Sequence, residues 1–213
     1  LFVWGGDAGA ALPNPVSHWT MNEGSGTTAA DTGTPGGYPG TLVGGCTWGT
    51  GIMGGALQFD GSTGYVQCSG GPVPQTAITV AAWMNHSSGA GDGGIVSRGG
   101  GWGWDGYSLW RNNNQIRVEL QRTGTGGTKT IVDNPAPSDD TWHHIAFTWD
   151  GTTIRVYIDA ELQPATGTFT GNLGTPTVDL TIGVVTNDAG QPAGFFEGLI
   201  DDARVYDVAL SQA

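Results

Sequence analysis

Basic residues are scarce in this chain. Seven Lys plus Arg stand against nineteen Asp plus Glu in 213 residues, a net charge of −12. A phosphate backbone or an anionic membrane surface would repel such a protein, which leaves nucleic acid and membrane insertion out as partners. Long apolar runs are missing too. None approaches the ~20 residues that span a bilayer, and LFVW at the start is too short for the centre of an export signal. If the protein is exported, its signal has been removed. The expected location is secreted or extracellular, where acidic balance suits solubility and divalent cations.

No dozen-residue stretch carries a 3.6-residue apolar stripe, so helices are excluded apart from a short ALSQA turn at the C-terminus. Cysteine is limited to Cys46 and Cys68. They fall in neighbouring predicted strands, where a disulfide is geometrically allowed; two buried thiols are the alternative. Neither a G-x-S-x-G elbow nor a base patterned near a cysteine is present, so nucleophilic catalysis lacks support.

What the sequence does have is glycine, aromatics and alternation. Its 39 glycines keep no period of three, and nine tryptophans supply bulky core material. Short β-branched runs such as ITVAAWMNH, QIRVELQR and TIRVYID alternate between apolar and polar, with Gly, Asn, Asp or Pro between them. That pattern predicts an antiparallel all-β domain. Asp150-Gly151 is expected to supply a positive-φ pair for one tight hairpin, and Asn112 to Asn114 to turn a second. Residues 1–15 read as an arm or linker and 16–213 as one domain.

The segment FFEGLIDDARVY places Asp201 and Asp202 side by side in an apparent strand, where alternation sends one carboxylate toward the core. An uncompensated one would cost several kcal/mol. Either a cation binds there, with Asn22, Glu23 and Asp31 of NEGSGTTAADTG as further oxygen donors, or the acids meet Arg204, His18 or backbone N–H groups. Asp60 in FDGSTGY is accounted for by an Asp-Gly turn. His143 and His144 point to opposite faces of a strand, so they cannot share an ion; hydrogen bonding to buried backbone is expected instead.

Several signatures occur in order: HWTMNEGSGTTAADTG, GTLVGG before Trp48, GGALQFDGSTGYVQC, ITVAAWM, TWHHIAFTWDGTTIRVYIDAEL, LTIG and FFEGLIDDARVYDVALS. Together they resemble the laminin-G-like, concanavalin A-like jelly-roll family, from about Val16 to Ser211. The resemblance implies two antiparallel sheets packed as a sandwich, adjacent N- and C-terminal strands, and a calcium site at the rim. By that resemblance Asp31 and Asp201 are the first calcium candidates, with Asn22 and loop carbonyls completing the shell. One departure stands out: where the family shows Asp-Gly, this chain has Asp159-Ala160, so a different turn is expected because Ala160 resists positive φ.

Related β-glucanases carry two catalytic carboxylates in an E-x-D-x-E strand, a pattern absent here. Glu197 and Asp201 are evenly spaced without a third acid, so no enzyme is expected. For sugar binding, an aromatic platform flanked by polar groups is the useful chemistry. The candidates are Trp102, Trp104, Tyr107, Arg111 and Asn113, with Trp110 beside them. The leading expectation is a non-catalytic recognition module for a glycan or glycoprotein surface, stabilised by calcium. The alternative is a structural subunit of an appendage or virion that self-assembles through residues 1–9.

Overall fold

Alternation in the sequence becomes strands wherever one face finds an apolar partner. The computed structural model describes residues 12–99, 105–122, 127–187 and 191–211, and among these there is no helix. The chain runs through β1 (Ser17–Trp19), β2 (Thr28–Ala29), β3 (Gly40–Val43), β4 (Thr47–Thr50), β5 (Gly55–Asp60) and β6 (Tyr65–Cys68). It continues through β7 (Ile78–His86), β8 (Gly93–Arg98), β9 (Gly106–Asn112), β10 (Gln115–Arg122), β11 (Thr128–Pro135), β12 (His143–Trp149) and β13 (Thr153–Ile158). The last strands are β14 (Glu161–Leu162), β15 (Gly167–Thr168), β16 (Leu180–Ile182), β17 (Val184–Thr186), β18 (Pro192–Phe195) and β19 (Glu197–Tyr206).

These form a two-sheet antiparallel sandwich. A 9-stranded sheet runs β14-β13-β12-β7-β19-β5-β4, with β1 added beside β19 and β15 beside β13. An 8-stranded sheet runs β11-β10-β9-β8-β16-β6-β3-β2, and β17 and β18 pair separately. Strands β1 and β19 lie together, Ser17 opposite Val205 and Trp19 opposite Ala203, so the first and last strands are adjacent as the resemblance implies.

The core fills the space between the sheets. Trp19, Phe59, Met84, Phe147 and Trp149 meet Val66, Ile95, Tyr107, Leu109, Val118 and Ile182 there. Each large apolar side chain removed from water contributes about 1.5–3 kcal/mol, which fixes every strand's register because a one-residue slip would turn these groups outward. Strand β10 shows the rule: Ile116, Val118 and Leu120 join the core, and Arg117, Glu119 and Gln121 take the other face.

Turn chemistry follows expectation at one hairpin and departs from it at two. Asn113 (φ 46°) and Asn114 (φ 62°) close β9 to β10, as left-handed asparagines can. Between β12 and β13 only Gly151 (φ 92°) is left-handed. Asp150 instead accepts bonds from the Thr152 and Thr153 amides at 3.0 and 2.8 Å, holding a wider turn. Asp159 (φ 51°) and Ala160 (φ 67°) both adopt positive φ, contrary to the expectation for Ala160. Ile158 pairs with Glu161, leaving a two-residue connection whose backbone twist demands that conformation whatever the residue.

The expected disulfide does not form: Cys46 and Cys68 are both free. Cys68 sits opposite Gly40 and Tyr65 opposite Val43, whereas the Cys46 thiol donates to the carbonyls of Val43 and Tyr65. Three residues of extended chain therefore separate the sulfurs along β6, roughly 10 Å, beyond disulfide reach. Burial pushes the Cys46 thiol up to about 11.

Candidate functional site

Two regions gather polar chemistry: the rim near the end of β19, and the outward face of the 8-stranded sheet. At the rim, the register of β19 against β7 jumps between Asp201, opposite Trp83, and Arg204, opposite Ala81. One extra residue is accommodated by Asp202 at φ 53°. This is a β-bulge. Ile200 and Ala203 remain in the core, and neither acid enters it, which answers the alternation paradox.

Asp202 meets His18, 2.5 Å from its Nε2, and the Arg204 guanidinium at 2.8 Å. Asp201 Oδ2 accepts from the Ile52 and Met53 amides at 3.0 and 3.1 Å. Three of the four oxygens thus have ordinary donors. The fourth, Asp201 Oδ1, is buried without a hydrogen-bond partner. Burial first, and then the neighbouring Asp202 charge, push the Asp201 carboxyl up to about 6 against the pull of the loop amides.

Asn22 reaches the same loop, its Oδ1 accepting from Gly55 N at 2.6 Å. Asp31 is engaged elsewhere. Its Oδ1 accepts from His18 and Gly33 amides and its Oδ2 from Tyr38, so it holds the turn that follows β2. Glu23 bonds the Ala30 amide at 2.7 Å. Among the described residues no three His, Cys, Asp or Glu side chains converge as a metal cluster.

Other acids and imidazoles have structural partners. Asp60 binds the Ser62, Thr63 and Gly64 amides with Oδ1 and the Thr63 hydroxyl with Oδ2, the turn role expected of it. His143 bonds Asp159 and Ser138 side chains in place of the expected backbone. The His144 ring lies 5.2 Å from that of Trp83, and burial pushes its pKa down to about 4.

The sugar candidates fare unevenly. Trp102 and Trp104 lie outside the described residues. Tyr107 is fully buried and donates to Pro72 O at 2.9 Å, so it is a core residue and not a platform. Arg111 is likewise withdrawn: it is buried, with its guanidinium 2.9 Å from Asp139 and 2.6 Å from Asn114 Oδ1. Both alternate inward on β9, which the sequence pattern left open. Asn113 serves the turn, its amide bonded to Asp92 and its side chain to Asn112.

The outward face of the 8-stranded sheet carries what the sequence reading missed. Register aligns Thr28, Thr41, Gln67, Thr181, Ser97, Ser108, Glu119 and Ile131 in one row, a residue from every strand. At the ~4.8 Å strand spacing this row spans roughly 30 Å. Beside it, Arg117 lies 5.5 Å over the Trp110 ring and pairs with Asp133 through two bonds of 2.7 and 2.8 Å. Lys129 reaches Glu119 at 3.1 Å, and burial nonetheless raises the Glu119 carboxyl above its usual range.

Outward residues of an antiparallel sheet normally meet water. Here Ser97, Ser108, Trp110, Glu119 and Gln121 are all buried. Ser108 Oγ and Gln121 Oε1 are without a hydrogen-bond partner. QIRVELQR displays the alternation that creates this face, but the row exists only through pairing of strands distant in sequence.

The comparisons agree with this architecture. Of curated proteins, the chain is 31% identical over 165 residues to the rat (Rattus norvegicus) sushi, von Willebrand factor type A, EGF and pentraxin domain-containing protein 1, covering 73% of this chain and 4% of that protein. The mouse (Mus musculus) counterpart is 30% identical over the same length. The chain thus spans a small fraction of these relatives.

Among solved structures, domain 4 of AbnA, a GH43 extracellular arabinanase from Geobacillus stearothermophilus in complex with arabinotriose, superposes with a TM-score of 0.65 at 21% identity, covering 92% of this chain and 94% of that one. The binding domain of Paraclostridial Mosquitocidal Protein 1 gives 0.70 at 10% identity, over 93% and 50%. The CBM40 of Ruminococcus gnavus IT-sialidase, bound to α2,3 sialyllactose, gives 0.54 at 21% identity, over 65% and 78%. These likenesses show the fold. A laminin G family model matches residues 60–213, and the chain belongs to the concanavalin A-like lectin/glucanases superfamily that this model describes.

Proposed function

We propose that this chain is a non-catalytic, extracellular recognition module that binds glycans on the outward face of its 8-stranded sheet. One observation carries the reading: Ser108 Oγ and Gln121 Oε1 are buried on a face that should be solvated, and neither has a partner within the protein. A buried polar atom left unmatched costs about 1–3 kcal/mol, a cost that a hydroxyl-rich ligand would remove on binding. The glycan complexes of AbnA domain 4 and of the CBM40 support the reading by fold. Strand β10 presents Arg117, Glu119 and Gln121 outward, a single carboxylate, and Lys129 holds it. That arrangement favours binding over glycoside hydrolysis, which uses a facing acid pair.

Calcium is proposed at the rim on Asp201 Oδ1, with Asn22 and carbonyls of the loop 51–55 as further donors. Asn22 Oδ1 would have to give up the Gly55 amide, and Asp31, both of whose oxygens accept from the His18, Gly33 and Tyr38 amides, is not part of that set. The fit rests on Asp201 Oδ1, buried and unmatched. A bound calcium would supply positive charge there and tie the opening segment to the closing strand. Residues 1–9 lie outside the described residues, and no observation favours assembly through them.

Two measurements test these readings. Calorimetry against a broad glycan panel should give binding that falls at least about tenfold, ~1.4 kcal/mol, in Gln121→Ala; no binding to any glycan overturns the recognition reading. Calcium at about a hundred times its Kd should stabilise the fold by ~2.7 kcal/mol, and Asp201→Asn should abolish the gain. Equal melting midpoints in calcium and in chelator would remove the metal.

A further inference from the structure

We infer that the glycan taken up by the outward face of the 8-stranded sheet is uncharged, a neutral oligosaccharide and not a sialylated, uronic or sulfated one. This rests on the recognition reading above and adds the class of ligand. The argument is a charge account of one face. The chain has seven Lys plus Arg in all. Arg155 and Arg204 pair with Asp150 and Asp202 on the 9-stranded sheet. Arg98, Arg111 and Arg122 stand on strands of the 8-stranded sheet but, two residues on from Val96, Leu109 and Leu120, share the inward face with those core residues.

That leaves Arg117 and Lys129 on the outward face, and each is committed. Arg117 makes a two-bond fork with Asp133 and lies 3.9 Å from Glu119. Lys129 is bound to Glu119. The two cations are held by Asp133 and Glu119, and Asp92 beside Arg117 and Asp179 beside Gln67 add further carboxylates, so an anionic ligand finds no free cation there. It would also approach a protein of net charge −12. A sugar carboxylate or sulfate on this face would have to break an existing pair, and a bidentate arginine–carboxylate contact is among the stronger ones.

The unmatched groups suit hydroxyls once the side chains covering them turn aside: Ser108 Oγ both donates and accepts, and Gln121 Oε1 accepts. Along the same row, Thr28 and Thr41 extend the face with exposed hydroxyls, and Gln67, its Nε2 donating to Asp179 at 2.9 Å, adds an amide oxygen. Six neutral polar side chains of this row, from Thr28 to Ser108 across six strands, match a linear chain of hydroxyl-bearing rings better than a single charged head group.

The test is calorimetry or saturation-transfer NMR of the whole chain with neutral oligosaccharides, arabinotriose among them, against sialyllactose and oligogalacturonate of similar length. The wild type should bind at least one neutral ligand about tenfold or more tightly than any acidic one. Asp133→Asn, at a half-exposed site, releases Arg117 and should raise affinity for an acidic ligand about tenfold, a gain that misfolding cannot mimic. Preference of the wild type for acidic ligands, or no gain in Asp133→Asn, overturns the inference and leaves glycan recognition standing. Binding of neither class overturns recognition itself.

Discussion

The two sheets turn very different outward faces to their surroundings. On the 9-stranded sheet, Ala81, Ala146 and Tyr157 form a small apolar cluster covered by Leu210 of the C-terminal segment. That segment is fastened by polar bonds: Thr79 Oγ1 donates to Val208 O at 2.8 Å and accepts from Leu210 N at 2.9 Å. The chain has sealed this face with itself. On the 8-stranded sheet, buried outward groups at Ser108 and Gln121 remain unmatched. Both faces come from the same alternation, and each keeps an unmatched buried oxygen: Asp201 Oδ1 at the rim of the first, Ser108 Oγ and Gln121 Oε1 on the second. What separates them is the C-terminal segment packed over part of the first.

The largest test of this contrast is Tyr157→Ala. Emptying that buried ring position should cost about 3–5 kcal/mol in urea unfolding while leaving glycan affinity unchanged. A loss of affinity as large as the loss of stability would mean the two faces are coupled.

Next comes pH. Burial beneath the sealed face holds His144 down at about 4 from an ordinary 6.5, with the native state keeping the ring neutral. The unfolded chain binds the proton first, so the His144 contribution is complete above pH 6.5, is lost as pH drops from there toward 4, and levels below. Asp201, pushed up to about 6, takes its proton first in the folded state and opposes this over the same window. The His144 part, up to ~3 kcal/mol, is therefore read as the difference in melting midpoints between the wild type and His144→Phe across that window.

A matched pair then sharpens the comparison. Thr79→Val strands Val208 O and Leu210 N and should cost about 1–2 kcal/mol; Ser108→Ala removes a hydroxyl with no partner and should change stability by less than ~0.5 kcal/mol or increase it. Equal losses would show Ser108 to be satisfied after all. A further effect lies outside both faces: Ala160→Gly, relieving φ 67°, should raise stability by roughly 1 kcal/mol.

The strands were readable because β-branched alternation and the Asn and Gly breaks between runs are local. Asp60 and Asn113 were readable as turn residues for the same reason. The candidate site was less so. Tyr107 and Arg111 are sugar candidates as members of an aromatic platform flanked by polar groups, yet their parity on β9 sends both inward, and nothing local to GYSLWR states which face is the core. Asp201 was correctly singled out as anomalous, but the one-residue bulge that relieves it depends on the register against β7. The thiols failed to pair because Cys46 falls in the connection between β3 and β4 and not in a strand beside β6, a boundary that the local pattern did not show.

The sequence by itself determined the class of fold, the antiparallel pairing of near neighbours and the acidic net charge, because alternation, turn chemistry and composition act over a few residues or over the whole chain at once. Only the tertiary structure decided which acid meets which donor, which aromatic is core, and that eight strands align a polar row on one face. Those outcomes depend on register between segments as far apart as Thr28 and Glu119, and register is set by the collective burial of the core, not by any segment taken alone.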